Sequence, residues 1–401
     1  MSSLAEDRNN GVSIFRMLFT INFLISFGFC MSDSFFPAYF QNLGANAALI
    51  GFSASSYQIS KIVLGPFVGR LEQRFGSGRL IVVSLLIYVV VSISYLVLNS
   101  LYILVLLRFL QGAACSSLKP IMYSMINGSM SEGKKGEVFG AFDISFYASI
   151  AAGPFVGGWI IHSYGFEALF AVLLFICLLA ALVSFSLNRI CLLRQKQDEH
   201  VCHVSRPSRT EYSLYLFIVG KSFLIACYTV YFPLFLLNEC HFTTLETGFT
   251  ISFSTGVMAL FLRPMGKLSD RVSKPLLVVA GGILSSIAFF HIQDIFTFKQ
   301  AMVFSALFGL CGAISQPASV SLLFSCSSDK SVSSSVMGRF GSILNIGFVC
   351  GTLFASLMIE LFSVRAAFIS AGIINLFMIT LYVFSTGSLS WFGHSDMISD
   401  R

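Results

Sequence analysis

The sequence predicts an all-α polytopic membrane protein, with twelve transmembrane helices arranged as two pseudo-symmetric six-helix bundles. Three observations predict it. The 401-residue chain is 56% hydrophobic and only 11% charged, with a mean hydropathy of +0.82, a balance foreign to soluble globular domains. Apolar stretches of about 20 residues, the length that crosses a bilayer, recur along it, and 80–98, 168–188, 340–359 and 366–393 contain no charge. The chain also repeats itself at a shift close to 197 residues, as transporters built from parallel repeats do.

The repeat runs from the first apolar segment to the last. Pro37 matches Pro233 at 196. Gly51, Gly69, Arg74, Gly112 and Pro120 match Gly248, Gly266, Arg271, Gly309 and Pro317 at 197. Gly140, Gly153, Ala168 and Phe170 match Gly338, Gly351, Ala366 and Phe368 at 198. A duplicated half-protein explains so small a drift. The halves are 1–188 and 212–401, and the polar stretch 189–211 between them reads as a flexible cytoplasmic linker.

The expected spans of the first half are 14–39, 47–69, 80–98, 101–126, 138–161 and 167–188. The first is too long for the apolar core of a signal peptide and lacks a small-residue cleavage site, so the mature chain is expected to begin at Met1. The second carries Lys61, the fourth Arg108 and Lys119, and the fifth Asp143; the third is free of charge, and the sixth is so after Glu167 at its first position. In the second half the spans are 212–238, 246–265, 275–293, 300–323, 340–361 and 366–387, with Lys221 in the first of them and Glu360 close to the end of the fifth. With both termini inside, nineteen Lys and Arg lie in the inner segments, against Lys299 and Arg365 outside. The positive-inside rule therefore sets the topology. The net charge of +6 is a topology signal, and no nucleic-acid partner is expected. An integral multi-pass protein of the bacterial inner (plasma) membrane, with both termini cytoplasmic, is expected.

Six of the ten cysteines, Cys30, Cys115, Cys177, Cys227, Cys311 and Cys350, fall within spans and read as small hydrophobes. Cys240 alone faces outward, without a disulfide partner. His200, Cys202 and His203 in the linker lack the spacing of a structural zinc site, so no metal or cofactor is expected. Nucleophile elbows, phosphate loops and metal-binding His-Glu pairs are missing from the sequence. An enzyme is not expected, and neither is direct drive by ATP.

The loop after the second span, Gly69-Arg70-Leu71-Glu72-Gln73-Arg74-Phe75-Gly76, and its repeat mate, Gly266-Lys267-Leu268-Ser269-Asp270-Arg271-Val272-Ser273, resemble the G-x-x-x-D-R-x-G loop of the major facilitator superfamily. The resemblance implies a gate in which Gly69 and Gly266 allow tight helix packing and Arg74, Asp270 and Arg271 cap helix ends and pair across the bundle. Gln73 replaces the usual first-half Asp, so Glu72 is expected to stand in. Arg108-Phe109-Leu110-Gln111-Gly112 is similar to the R-x-x-Q-G motif of that superfamily. Gly140 and Gly153-Pro154-Phe155-Val156-Gly157-Gly158 resemble the fifth-helix motif of its exporters, the proton-coupled drug antiporters especially, with Ser149 in place of the middle Gly. Small residues at each turn let helices meet backbone to backbone, and Pro154 weakens the helix so that it can bend. A tight contact without coupling significance is the alternative. The mate stretch Gly351-Thr352-Leu353-Phe354-Ala355-Ser356 lacks the Pro and the Gly pair.

A charge at the bilayer centre costs about 2.5–3.5 kcal/mol even on the lenient insertion scale, so each ionisable group inside a span is a functional candidate. At about 1.5 Å per residue, Asp33 and Arg108 lie roughly 9 and 10 Å from the outer ends of their spans. They share a depth. Asp33-Ser34-Phe35-Phe36-Pro37 also looks like the acidic-then-Pro pattern of first helices in drug and proton antiporters. Asp33 is the expected proton or cation-substrate site, Arg108 its electrostatic control, and Gln111 the completion of a polar patch. A carboxylate whose distance from a guanidinium changes would bind and release a proton; a permanent ion pair is the other reading. Lys119 and Asp143 are expected to form a structural pair. Lys61, about 12 Å from the inner end of its helix, either snorkels or faces a cavity and binds anions. Lys221 is expected to snorkel or gate near the inner surface. Tyr57, Tyr123, Tyr147, Tyr228 and Tyr231 could offer hydroxyls to a ligand.

The resemblance implies alternating-access secondary transport: proton-coupled export of small organic molecules such as drugs, metabolites or siderophore-like compounds. An uptake symporter or facilitator, or a receptor or scaffold without flux, are the alternatives. The expected partners are a small-molecule substrate, protons and the lipid bilayer, with the protein monomeric.

Overall fold

A computed structural model describes residues 2–129, 135–194, 209–269, 271–325 and 333–386. The described elements are all helical: α1 Ser2–Asp33, α2 Phe36–Asn42, α3 Ala47–Leu64, α4 Val68–Phe75, α5 Ser77–Val97, α6 Leu101–Ser129, α7 Lys135–Arg194, α8 Arg209–Asn238, α9 Thr244–Ser269, α10 Lys274–Phe290, α11 Phe298–Ser325, α12 Ser333–Leu361 and α13 Val364–Thr386, with short 3₁₀ turns at Gly65–Phe67 and His291–Asp294. Ten of these helices are long and apolar enough to cross a membrane. One of them, α7, runs for 60 residues but leaves helical geometry at Gly165 (φ 83°, ψ 179°) and so supplies two spans. The second expected span is divided into α3, the 3₁₀ turn with Pro66 in its first positions, and α4. Together these make the twelve spans of the fold. The linker's central residues and His200, Cys202 and His203 lie outside the described residues.

Local sequence explains where the helices start. Asn46 Oδ1 accepts the N–H of Leu49 (3.0 Å) and opens α3. Thr243 and Glu246 form a reciprocal capping box at α9, and Thr297 and Gln300 form another at α11, satisfying N–H groups that a helix start leaves unpaired. Along α5 the buried face carries Ile81, Leu85, Tyr88 and Ser92, while Val83, Leu86, Val90, Ile93 and Val97 recur at helical spacing on an exposed face. An apolar stripe left outside at i, i+3, i+7 is a surface for lipid.

By contacts the chain divides into two compact units: Met1–Ala45, Ser56–Asp198 and Thr243–Ser252 form one, and Asn46–Ser55, Glu199–Phe242 and Phe253–Arg401 the other. The reciprocal exchange obeys the repeat, since 46–55 and 243–252 lie 197 residues apart at both ends. In the second unit Ala48 N–H donates to Glu360 Oε1 (3.1 Å), and the hydroxyls of Ser55 and Thr352 are 2.6 Å apart. In the first, Phe155 N–H donates to Ser252 Oγ (2.8 Å) and Thr244 Oγ1 to Gly158 O (3.1 Å). A carboxylate at the start of α3 also suits the positive end of that helix.

The duplication extends to side-chain geometry. Phe36 meets Phe170 edge-on at 6.5 Å and 75° in the first unit; their mates Phe232 and Phe368 meet at 6.5 Å and 81° in the second. A Cβ on Gly112 would lie 2.2 Å from Tyr57 O, and one on Gly309 would lie 2.2 Å from Ser254 O. Those are repeat-equivalent contacts, each a helix crossing that only glycine permits.

Candidate functional site

The strongest constellation of ionisable groups begins where α1 stops. Ser32 Oγ and Ser34 Oγ donate back to Gly28 O (3.0 Å) and Cys30 O (3.3 Å), and Pro37, lacking an N–H, opens α2. The backbone therefore breaks at Ser34-Phe35. Asp33 is left as the last residue of α1, with its carboxylate at the negative end of the helix dipole. A cation must answer it.

Arg108 of α6 does so. Its Nη2 forms an ion pair with Asp33 Oδ1, and its Nη1 donates to Gln111 Oε1 (3.1 Å). Tyr95 of α5 donates its hydroxyl to the same Oε1 (3.2 Å). The guanidinium also lies over the rings of Phe36 (4.3 Å), Tyr57 (5.4 Å) and Phe29 (5.9 Å). The Arg108 side chain is 6% exposed and that of Asp33 19%. Two charges withdrawn from water persist only with supplementary hydrogen bonds and close geometry, and Gln111, Tyr95 and three aromatic faces provide them. The structure thus brings together Asp33, Arg108 and Gln111 as the shared depth suggested. Tyr95 and Phe36 were not legible, because hydropathy gives the span of a helix and not its rotation.

The fifth-span motif packs against this end of α1. A Cβ on Gly153 would meet Cys30 Cβ and Met31 N at 2.9 Å, and one on Gly157 would meet Met31 O at 2.2 Å. Ser149, at the position of the missing Gly, donates its hydroxyl to Phe23 O (3.1 Å), and Asn22 donates to Ser145 Oγ (2.6 Å). Gly158 and Pro154 instead face α9, against Thr244 and Gly248. Gly140 lies within α7.

The remaining candidates are dispersed. Lys119 Nζ stands 4.0 Å from Asp143 Oδ1, with both side chains more than a third exposed; Tyr123 is the closer partner, donating its hydroxyl to the same carboxylate. Lys61 lies one turn before the Gly65 break, half-buried beside the Tyr57 ring (5.2 Å). In the loops, Glu72 Oε1 accepts from Ser77 Oγ (2.7 Å), and the Arg74 guanidinium rests on Phe75 (5.4 Å). The tight packing expected at Gly69 and Gly266 is not formed among the described residues: a Cβ would meet nothing within 4 Å at Gly69 and only Pro317 Cβ, at 4.0 Å, at Gly266. Arg271 is exposed, and Asp270 lies outside the described residues. In the second unit the mates of Tyr57 and Arg108 are Ser254 and Ser305. Hydroxyls occupy the place of the ion pair.

Lipid-facing helices, a contact set repeated in both halves and a buried ion pair at a helix break define a polytopic membrane transporter. The chain belongs to the Major Facilitator Superfamily, whose family profile matches residues 18–295 and 214–392. It is 25% identical over 327 residues to an uncharacterized MFS-type transporter of Methanocaldococcus jannaschii, covering 79% of this chain and 83% of that one. It is 24% identical over 276 residues to the multi-drug resistance efflux pump PmrA of Streptococcus pneumoniae, covering 67% of this chain and 61% of the pump. To multidrug resistance protein 2 of Bacillus subtilis it is 21% identical over 295 residues, 70% of this chain and 74% of the other. In fold it resembles a bacterial homolog of the lysosomal transporter Spinster (TM-score 0.77, 12% identity, 95% and 97% covered) and the nucleoside transporter NupG (TM-score 0.74, 12% identity, 93% and 99% covered). It is a transporter resembling the drug:proton antiporter branch.

Proposed function

We propose that the protein is a proton-coupled exporter of small organic molecules, working by alternating access in the plasma membrane with both termini cytoplasmic. The observation that carries this reading is the Asp33–Arg108 pair, buried at a break in α1. A proton arriving at Asp33 neutralises the carboxylate and releases the guanidinium; its departure restores the pair. Gly153 and Gly157 hold α7 against the two residues that approach Asp33, so a bend at Pro154 moves the pair as the transporter rocks. The efflux pump PmrA among its relatives supports the direction. Conformational states exchanged by one proton gain about 2.3 kcal/mol per 100 mV of membrane potential.

Purified protein in liposomes, given an imposed pH gradient and a panel of drug-like cations, anions and metabolites, tests the reading. Outward movement of cargo against inward movement of protons is expected, lost in Asp33→Asn protein that inserts normally. Inward cargo flux would make it an uptake symporter. Full retention of coupling by Asp33→Asn would reduce the pair to a structural tie.

A further inference from the structure

A single amide oxygen joins the Asp33–Arg108 pair to a third helix. Gln111 Oε1 accepts Arg108 Nη1 at 3.1 Å and the Tyr95 hydroxyl at 3.2 Å, using both lone pairs that a carbonyl oxygen offers. Arg108 and Gln111 lie on α6, whereas Tyr95 lies on α5, which packs against α6 and α7. Tyr95 is 2% exposed, and its ring rests on those of Phe36 (5.1 Å) and Phe170 (5.4 Å). Its hydroxyl therefore meets Gln111 from a fixed place.

The other donors of Arg108 show why that matters. Nη2 is taken by Asp33, and Nε, buried, has no hydrogen-bond partner among the described residues. Once a proton reaches Asp33 and the ion pair opens, Gln111 Oε1 is the acceptor left to a guanidinium held out of water. A Gln side chain has several rotamers, and the Tyr95 hydroxyl holds this one. The state with Asp33 protonated thus leans on Tyr95 more than the paired state does. Of the other titratable side chains within electrostatic reach of Asp33, Cys30 of α1 and Tyr57 of α3 are uncharged at neutral pH, and α7 presents glycine there.

The repeat sets these residues apart from ordinary packing. At a shift of 197 the mates of Tyr95, Arg108 and Gln111 are Ile292, Ser305 and Phe308, and that of Asp33, at 196, is Thr229. The half without the ion pair has neither the Gln nor the Tyr that would serve it.

We propose that Tyr95 is a positioning residue for the proton switch: by holding Gln111 Oε1 it keeps in place the acceptor that takes over Arg108 when Asp33 is protonated. This rests on the coupling role proposed above for the Asp33–Arg108 pair.

Tyr95→Phe removes the hydroxyl and keeps the ring. pH-difference infrared spectra of the full-length protein in lipid nanodiscs read the switch without any cargo, the protonated-carboxyl band of Asp33 being the one that Asp33→Asn protein lacks. In Tyr95→Phe protein the midpoint of that band is expected to move to more acidic pH by roughly half to one unit, the size of one uncharged hydrogen bond. The pH profile of flux in liposomes should move with it, at an acid plateau within about twofold of the original. Gln111→Leu should shift the midpoint at least as far, and adding Tyr95→Phe to it should shift it no further, because both act through one oxygen. An unmoved midpoint in folded Tyr95→Phe protein, or a further shift in the double variant, would overturn the proposal. If Tyr95→Phe does not fold, Gln111→Leu decides, and an unmoved midpoint there overturns it as well. A band that shifts in Tyr95→Phe while the protein moves no cargo sinks export and leaves the switch standing. Proton-driven flux lost in Asp33→Asn, with the same midpoint in Tyr95→Phe as in the unaltered protein, does the reverse. Absence of any Asp33-dependent band sinks both.

Discussion

Gly157 of α7 and Met31 of α1 touch backbone to backbone: a Cβ on the glycine would fall 2.2 Å from the Met31 carbonyl oxygen, two residues before Asp33. The fifth-helix motif thereby fixes the position of the buried carboxylate. Gly157→Ala must push α1 aside at the point where it carries Asp33, at a cost of about 1–3 kcal/mol for an overpacked contact. Proton-driven flux is expected to drop at least tenfold, because displacement of a reacting group by about 1 Å is felt strongly. Gly256→Ala is the control. It has nothing within 4 Å of its Cβ among the described residues and should leave flux unchanged, with stability equal or up to about 1 kcal/mol higher. Equal flux in both variants would disconnect the motif from the site.

Arg108 holds Asp33 with one nitrogen and Gln111 with another, flat against Phe36. Lysine carries its donors on one nitrogen and has no plane to stack, so Arg108→Lys should lose flux although the charge is kept. Arg108→Gln leaves the Asp33 carboxylate without its cation and should lower the thermal midpoint in detergent. Asp33→Asn combined with Arg108→Gln should recover most of that loss, as a neutral pair of similar volume often does, without recovering coupling. A double variant that regains proton-driven flux would contradict the coupling role.

Much of this was legible in the sequence because each signal is local. Apolar length places the spans to within a few residues, and charge-free stretches cannot be anything else in a chain of this composition. Breaks inside spans were less legible: α1 stops at Asp33 and resumes at Phe36, and α3 gives way at Gly65–Phe67, because a proline's lost N–H matters to the backbone and not to hydropathy. The turn within α7 needs only Gly165, at φ 83°. Of the site, Asp33, Arg108 and Gln111 could be placed from depth alone, whereas the faces of Tyr95 and Phe36 depend on helix rotation.

Repeat symmetry makes a paired prediction. Gly112→Ala and Gly309→Ala each place a Cβ about where a carbonyl oxygen already stands, 2.2 Å away in both cases. Similar losses of stability are expected, on the order of 1–3 kcal/mol, read as a shift in thermal unfolding. Function should separate them. Gly112 presses on Tyr57, whose ring faces the Arg108 guanidinium at 5.4 Å, while Gly309 presses on Ser254, in the half where serines stand at the places of Tyr57 and Arg108. Residual flux should therefore fall further in Gly112→Ala than in Gly309→Ala. Equal residual flux would remove the asymmetry.

Cys240 tests both the topology and its own surroundings. It follows α8, which ends at Asn238, and its Sγ donates to Ile295 O (3.4 Å). Burial pushes the thiol up to about 11, the neighbouring Glu239 adds to the rise, and Arg365 opposes it. Only the thiolate attacks a maleimide, so a membrane-impermeant maleimide applied to sealed cells should label Cys240 slowly at pH 7.5 and faster by roughly tenfold per unit as pH approaches the thiol's own range. Glu239→Gln removes the carboxylate that both raises the thiol and engages Arg365 Nε at 2.9 Å, so labelling at a given pH should accelerate. Cys240→Ser sets the background from other cysteines. Labelling that appears only after permeabilisation would put this loop inside and reverse the topology read from nineteen inner cations against two.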